Sequence, residues 1–125
     1  MYSHDYSFIY NPAMPTVELE IGLARGRVRV TLPAIIDSGA DATMVPLRYL
    51  RQIRALPIER KQLRGILGAT RPVQMYNIFV QLGEYGLFTR VAGSESNDEP
   101  IVGRDVLNQF IVTLNGLASM VEITR

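Results

Sequence analysis

The chain contains no cysteine, no tryptophan and a single histidine, His4, in 125 residues. Without cysteine there is no disulfide, no thiolate nucleophile and no zinc-thiolate site, and redox chemistry does not constrain the compartment. One histidine leaves almost no material for a Ser-His-Asp triad or a histidine metal site. His4 also falls in an N-terminal segment expected to be loose. An excess of one charge is lacking too: 13 basic against 12 acidic residues give +1. That balance argues against a phosphate-binding surface, so no nucleic-acid partner is expected. No stretch approaches the roughly 18 consecutive apolar residues of a membrane helix. The first 30 residues hold no apolar run behind a basic start, so a cytoplasmic location and no membrane partner are expected. Any catalysis falls to carboxylates.

What is present reads as one soluble globular domain over residues 1–125, with 47% hydrophobic residues, ten glycines and seven prolines. Residues 16–23 (TVELEIGL) and 27–32 (RVRVTL) alternate apolar and polar around the turn ARG, which predicts a β-hairpin. Residues 42–47 return to strand character. Leu47, Leu50 and Ile53 recur at helical spacing, so a short helix is expected over 46–56, opened by Pro46 and closed by Pro57. Residues 58–83 read as a long hairpin with its tip at Gly65–Gly68, residues 85–93 as another strand, and 94–99 (SESNDE) as an acidic loop. Val106, Leu107 and Phe110 fit one face of a second short helix over 103–110. The chain closes with a hairpin turning at Asn115 and Gly116. Many short strands with one or two helices and no βα repeat indicate an all-β barrel or sandwich. The cluster Arg48, Arg51, Arg54, Arg60, Lys61 and Arg64 reads as a solvated face.

Residues 34–42, AIIDSGADA, drive an apolar strand into Asp37. A buried carboxylate is tolerated only when it is hydrogen-bonded, paired with a cation, or sharing a proton with another acid. Gly39 lets the backbone bend and another chain approach closely, and the Ser38 hydroxyl has a donor with which to fix the loop. Residues 101–105, IVGRD, repeat the pattern of an apolar strand ending in glycine and then supply a guanidinium. The Arg104 fork suits the carboxylate of Asp41.

Three separated pieces, IIDSGADATMV (35–45), LRGILGATRPVQMY (63–76) and PIVGRDVLNQF (100–110), carry a resemblance to the retropepsin-like aspartic proteases over roughly residues 16–115. Asp-Ser-Gly alone is a weak signal; joined to the downstream Gly-Arg-Asp segment it is strong. The resemblance implies an all-β, closed-barrel acid-protease fold with a flap hairpin, and an aspartic endopeptidase acting on extended peptide or protein segments without metal or cofactor. It makes Asp37 the catalytic acid and Ser38 and Gly39 the rest of its loop, with Ser38 bridging toward a partner. Only one such triplet exists, so a homodimer must supply Asp37 twice; two carboxylates held about 3 Å apart share one proton and activate a water. Asp41 and Arg104 become an internal ion pair, with Asp41 also in reach of substrate backbone. Asp105 becomes the anchor of the helix after Gly103.

The same resemblance assigns Gly65, Ile66, Leu67 and Gly68 to the flap, and Ile36, Ala42 and Ile101 to possible subsite walls; Ile66 and Leu67 are also placed to reach substrate. Asp98 and Glu99 would lie beside the cleft and favour basic substrate side chains. The chain departs from retroviral members in its longer N-terminal lead (1–15) and its C-terminal hairpin (111–124), which implies a different dimer seam. The alternative reading is a dimerisation or peptide-binding module that keeps the fold and is inactive or only conditionally active.

Overall fold

The computed structural model describes residues 1–64 and 68–125, and is built mainly of β-strands. The alternation of Val17, Leu19 and Ile21 with Glu18 and Glu20 gives β2 (Thr16–Gly22) one apolar face, and all three apolar side chains are fully buried. It pairs antiparallel with β3 (Val28–Ile36), which runs on through Pro33. That proline is tolerated because the next strand on its far side reaches only Ile35 and Ile36. This neighbour is β8 (Ile101–Val102), parallel to β3 and antiparallel to β4 (Met44–Pro46) at Met44. β4 continues to β7 (Tyr85–Ser94), and β7 to β6 (Thr70–Leu82). β6 pairs back with β2 through Glu20, Ile21 and Gly22, closing a six-stranded barrel. The all-β, closed-barrel expectation is met.

Two features project from the barrel. Among the described residues β5 (Pro57–Arg64) pairs only with β6 and is exposed along nearly its whole length, forming the arm of a long hairpin. A separate three-stranded sheet joins β1 (Tyr2–Asp5), β10 (Met120–Thr124) and β9 (Ile111–Asn115), with β10 in the middle. The N-terminus is therefore not loose. His4 lies opposite Val121, and its Nδ1 donates to the Thr16 carbonyl at 2.8 Å. The strand was missed because its partner lies more than a hundred residues away, and YSHD carries no apolar alternation.

Both helices are shorter than periodicity suggested. The first, α1 (Leu47–Gln52), buries Leu50, and the following turn buries Ile53. It ends in a Schellman motif: Arg54 takes φ 60°, its N–H reaches the Arg51 carbonyl, and Ala55 N–H reaches that of Leu50. The left-handed residue stops the helix before Pro57 can. The second, α2 (Arg104–Leu107), seats Val106 and Leu107 in the core, and Phe110 follows in a turn. Gly86 is dictated by packing, since a Cβ there would fall 2.4 Å from the Phe79 ring.

Candidate active site

The parallel strands β3 and β8 end side by side, and each delivers a loop to the same place. Asp37 follows Ile36 directly, and its N–H donates to the Val102 carbonyl at 3.0 Å. The chain then turns, with Ala40 N–H on the Asp37 carbonyl (3.2 Å) and Gly39 N–H on Asp37 Oδ1 (2.9 Å). Asp37 is half-buried, while Ser38 and Gly39 are exposed. One carboxylate oxygen is thus fixed by a backbone donor at an open loop, and no hydrogen bond links Asp37 to another acid among the described residues.

Arg104 staples this loop from the opposite side. Its Nη1 donates to the Ser38 carbonyl at 2.8 Å, its Nη2 to Asp41 Oδ1, and its backbone N–H to the Ala40 carbonyl at 2.9 Å. Both side chains of the ion pair stand substantially in solvent, so the charge attraction itself contributes little to stability. Its contribution is shape, since the planar fork ties the Ser38 carbonyl and the Asp41 side chain together while the Arg104 backbone holds Ala40.

Beneath the loop lies a network of which sequence reasoning singled out Asp105 but not Thr43. Thr43 is fully buried. Its hydroxyl donates to Asp105 Oδ1 at 2.7 Å and accepts from Gly103 N–H at 3.1 Å, and its backbone N–H reaches both Asp105 oxygens at 3.0 Å. Asp105 Oδ1 also accepts from Val106 N–H at 2.8 Å, so the carboxylate anchors both α2 and the strand that leaves the Asp37 loop. The available signal was a lone hydroxyl residue inside the apolar run ATMV. Gly103 packs against the Ala42 backbone so closely that a Cβ would sit 2.7 Å from its carbonyl carbon and oxygen. Only glycine permits this crossing of the two loops.

A cleft of about 280 Å³ opens beside the loop. Its floor is Gly39, Ala40, Asp41, Ala42 and Met44, and its roof is the projecting hairpin through Leu63, Arg64, Ala69, Thr70 and Arg71. Ala42 is nearly buried and packs with Val73, Met75 and Ala92. Ile101 lines a neighbouring cavity. Ile36 lies in neither cavity and packs on the barrel core. Of the four flap positions, Gly65, Ile66 and Leu67 lie outside the described residues; Gly68 is exposed with φ +80°. Arg64, grouped by sequence with a solvated basic face, stands in the cleft roof. Among the described residues no cluster of histidines and acids suits a metal ion, and no helix is long and apolar enough to cross a membrane.

A family model described as retroviral aspartyl protease matches residues 11–115. The chain belongs to the retroviral aspartyl protease family. No curated protein matches it. Among solved structures, this retroviral-protease relative is similar to the Simian Foamy Virus (mac) protease, at 26% identity and TM-score 0.54, over 74% of this chain and 91% of that one. It also shares its fold with EIAV protease complexed with the inhibitor HBY-793, at 18% identity and TM-score 0.59, over 77% of this chain and 86% of that one. The retroviral protease-like domain of Ddi1 from Leishmania major matches at 17% identity and TM-score 0.60, over 90% of this chain and 89% of that one. The retropepsin-like resemblance read from the three sequence pieces is met at the level of family and fold.

Proposed function

We propose that the chain is an aspartic endopeptidase that hydrolyses peptide bonds in extended polypeptide segments, acting as a homodimer with Asp37 contributed by each subunit. The observation that carries this reading is the Asp37 loop itself. Its carboxylate is held by Gly39 N–H at an open turn beside a cleft, with Asp41 turned away onto Arg104. A second Asp37 across a two-fold axis, about 3 Å away, would share one proton with the first. The ionised member takes a proton from a bound water, and the protonated member polarises the scissile carbonyl. Water is the nucleophile, so no covalent intermediate forms. Ser38, exposed beside the acid, reaches toward the partner loop, and the β5–β6 hairpin closes over the peptide.

The free edge of β9 supports the homodimer. Leu114 stands opposite Val121, and Val112 opposite Ile123, so these four side chains share one face. Val121 and Ile123 are fully buried, whereas Leu114 overhangs the edge and remains half exposed. An unpaired edge with an uncovered apolar residue invites strand addition, and antiparallel pairing of β9 with its symmetry mate is isologous. It would join two three-stranded sheets into one of six strands.

The test is cleavage of a peptide library by the chain and by Asp37→Asn, each at several protein concentrations. Cleavage by the native chain, lost in Asp37→Asn with folding intact, is expected; cleavage that survives the substitution removes Asp37 from the mechanism. The exposure of Ser38 and Gly39 beside the half-buried Asp37 in the single chain supports a second reading, in which the subunit folds alone and becomes active only on assembly. Specific activity that rises with protein concentration, together with sedimentation between about pH 4 and 8, around carboxylate titration, separates the two.

A further inference from the structure

Next to the cleft, and sharing Met44 and Arg71 with it, is a second cavity of about 240 Å³ completed by Ser94, Asp98, Glu99 and Ile101. We propose that this cavity is a subsite that selects a basic side chain, lysine or arginine, from the bound peptide. The inference rests on reading the cleft as a peptide groove, and it adds the chemistry of what that groove prefers.

Three independent features point the same way. The first is charge. Two carboxylates face one guanidinium, that of Arg71, and neither Asp98 nor Glu99 is in an ion pair among the described residues. The acids therefore outnumber the cation. The second is the hydroxyl of Ser94, which is only 4% exposed and has no hydrogen-bond partner among the described residues. A buried polar group left unpaired is costly, and an ammonium or guanidinium N–H entering the cavity would give this oxygen a donor. The third is the pair of apolar walls, Met44 and Ile101, which suit the aliphatic stem of a long basic residue while its charged head meets the acids.

One acid is held in place from outside the cavity. The Tyr10 hydroxyl donates to Glu99 Oε1 at 2.6 Å, so the N-terminal lead orients one of the two acids that the sequence reading had placed beside the cleft. Asp98 N–H caps back onto the Glu95 carbonyl at 3.0 Å, which fixes the turn carrying both acids. Because Arg71 borders both cavities, a bound basic residue is expected to displace its guanidinium toward the main cleft.

The test uses the full chain carrying Asp37→Asn, so that peptides are not consumed, and fluorescent decapeptides scanned with lysine or norleucine at each position. At one position lysine should bind at least tenfold more tightly than norleucine, and the advantage should shrink as salt rises. In the added Asp98→Asn/Glu99→Gln background the preference should fall below twofold, with norleucine peptides unaffected. The inference is overturned if no position prefers lysine, or if the preference survives the double substitution. Cleavage by the native chain is assayed in parallel. Turnover without a basic preference overturns the subsite and leaves the protease standing, whereas a basic preference in binding without turnover overturns the protease and leaves the subsite standing.

Discussion

Replacing Thr43 with valine removes one oxygen from the centre of the network beneath the Asp37 loop and keeps the side-chain shape. The hydroxyl makes a 2.7 Å bond to the Asp105 carboxylate and receives the Gly103 N–H at 3.1 Å, in a residue with no exposed surface. A hydrogen bond to a charged group contributes about 1.5–3 kcal/mol, and leaving a buried N–H unsatisfied costs about 1–3 kcal/mol. The added methyl recovers less than about 1 kcal/mol of apolar transfer. Thr43→Val should therefore destabilise the fold by roughly 3 kcal/mol, a large share of the about 5–15 kcal/mol typical of a domain. Urea unfolding at fixed protein concentration measures it, with a midpoint lower by roughly 1.5 M for a slope near 2 kcal/mol/M. Asp105→Asn is the companion. Its carbonyl oxygen still accepts from the Thr43 hydroxyl and Val106 N–H, but its NH2 would replace the oxygen that takes the Thr43 N–H at 3.0 Å, so it too should destabilise the fold. A loss under about 1 kcal/mol for Thr43→Val would refute the reasoning, because the buried N–H would then have found another partner. Gly103 directly follows Val102, whose carbonyl holds Asp37 N–H, so the proposed peptide cleavage should decline with stability.

Arg54 occupies the left-handed position that ends α1, so Arg54→Gly should raise stability by about 0.5–1 kcal/mol, read as a higher urea midpoint. An unchanged or lower midpoint would mean that the exposed guanidinium contributes more than the backbone strain costs. Leu114→Lys places a charge on the apolar edge of β9, and should weaken the proposed homodimer at least tenfold in sedimentation while leaving the subunit folded. Activity in that variant should return at high protein concentration; unaltered assembly would move the interface away from β9.

The parts of the molecule legible in sequence are those governed by short-range repetition or by a rare residue combination. Alternation in TVELEIGL and RVRVTL announced the first barrel hairpin, because a strand with one buried face must repeat every two residues. Asp-Ser-Gly-Ala-Asp and Gly-Arg-Asp were conspicuous because an apolar strand rarely runs into charge without a use for it. Helix ends were less legible: Leu47, Leu50 and Ile53 set a helical period, but the stop came from Arg54 adopting a conformation its residue type disfavours. Ile36 illustrates the opposite limit. Its place beside Asp37 suggested a subsite wall, and in the single chain it is partly buried against the barrel core.

The sequence by itself determined the strand periods, the acid at the end of an apolar strand, the glycines that allow close approach, and the family to which they belong. Tertiary structure alone decided which of these groups meet. Thr43 finds Asp105 sixty-two residues away, Tyr2–Asp5 finds the last strand of the chain, and Ser94 shares a cavity with Met44 on a different strand. Local periodicity states which face of a strand is apolar. Barrel closure, which sets strand order and register, states what that face touches.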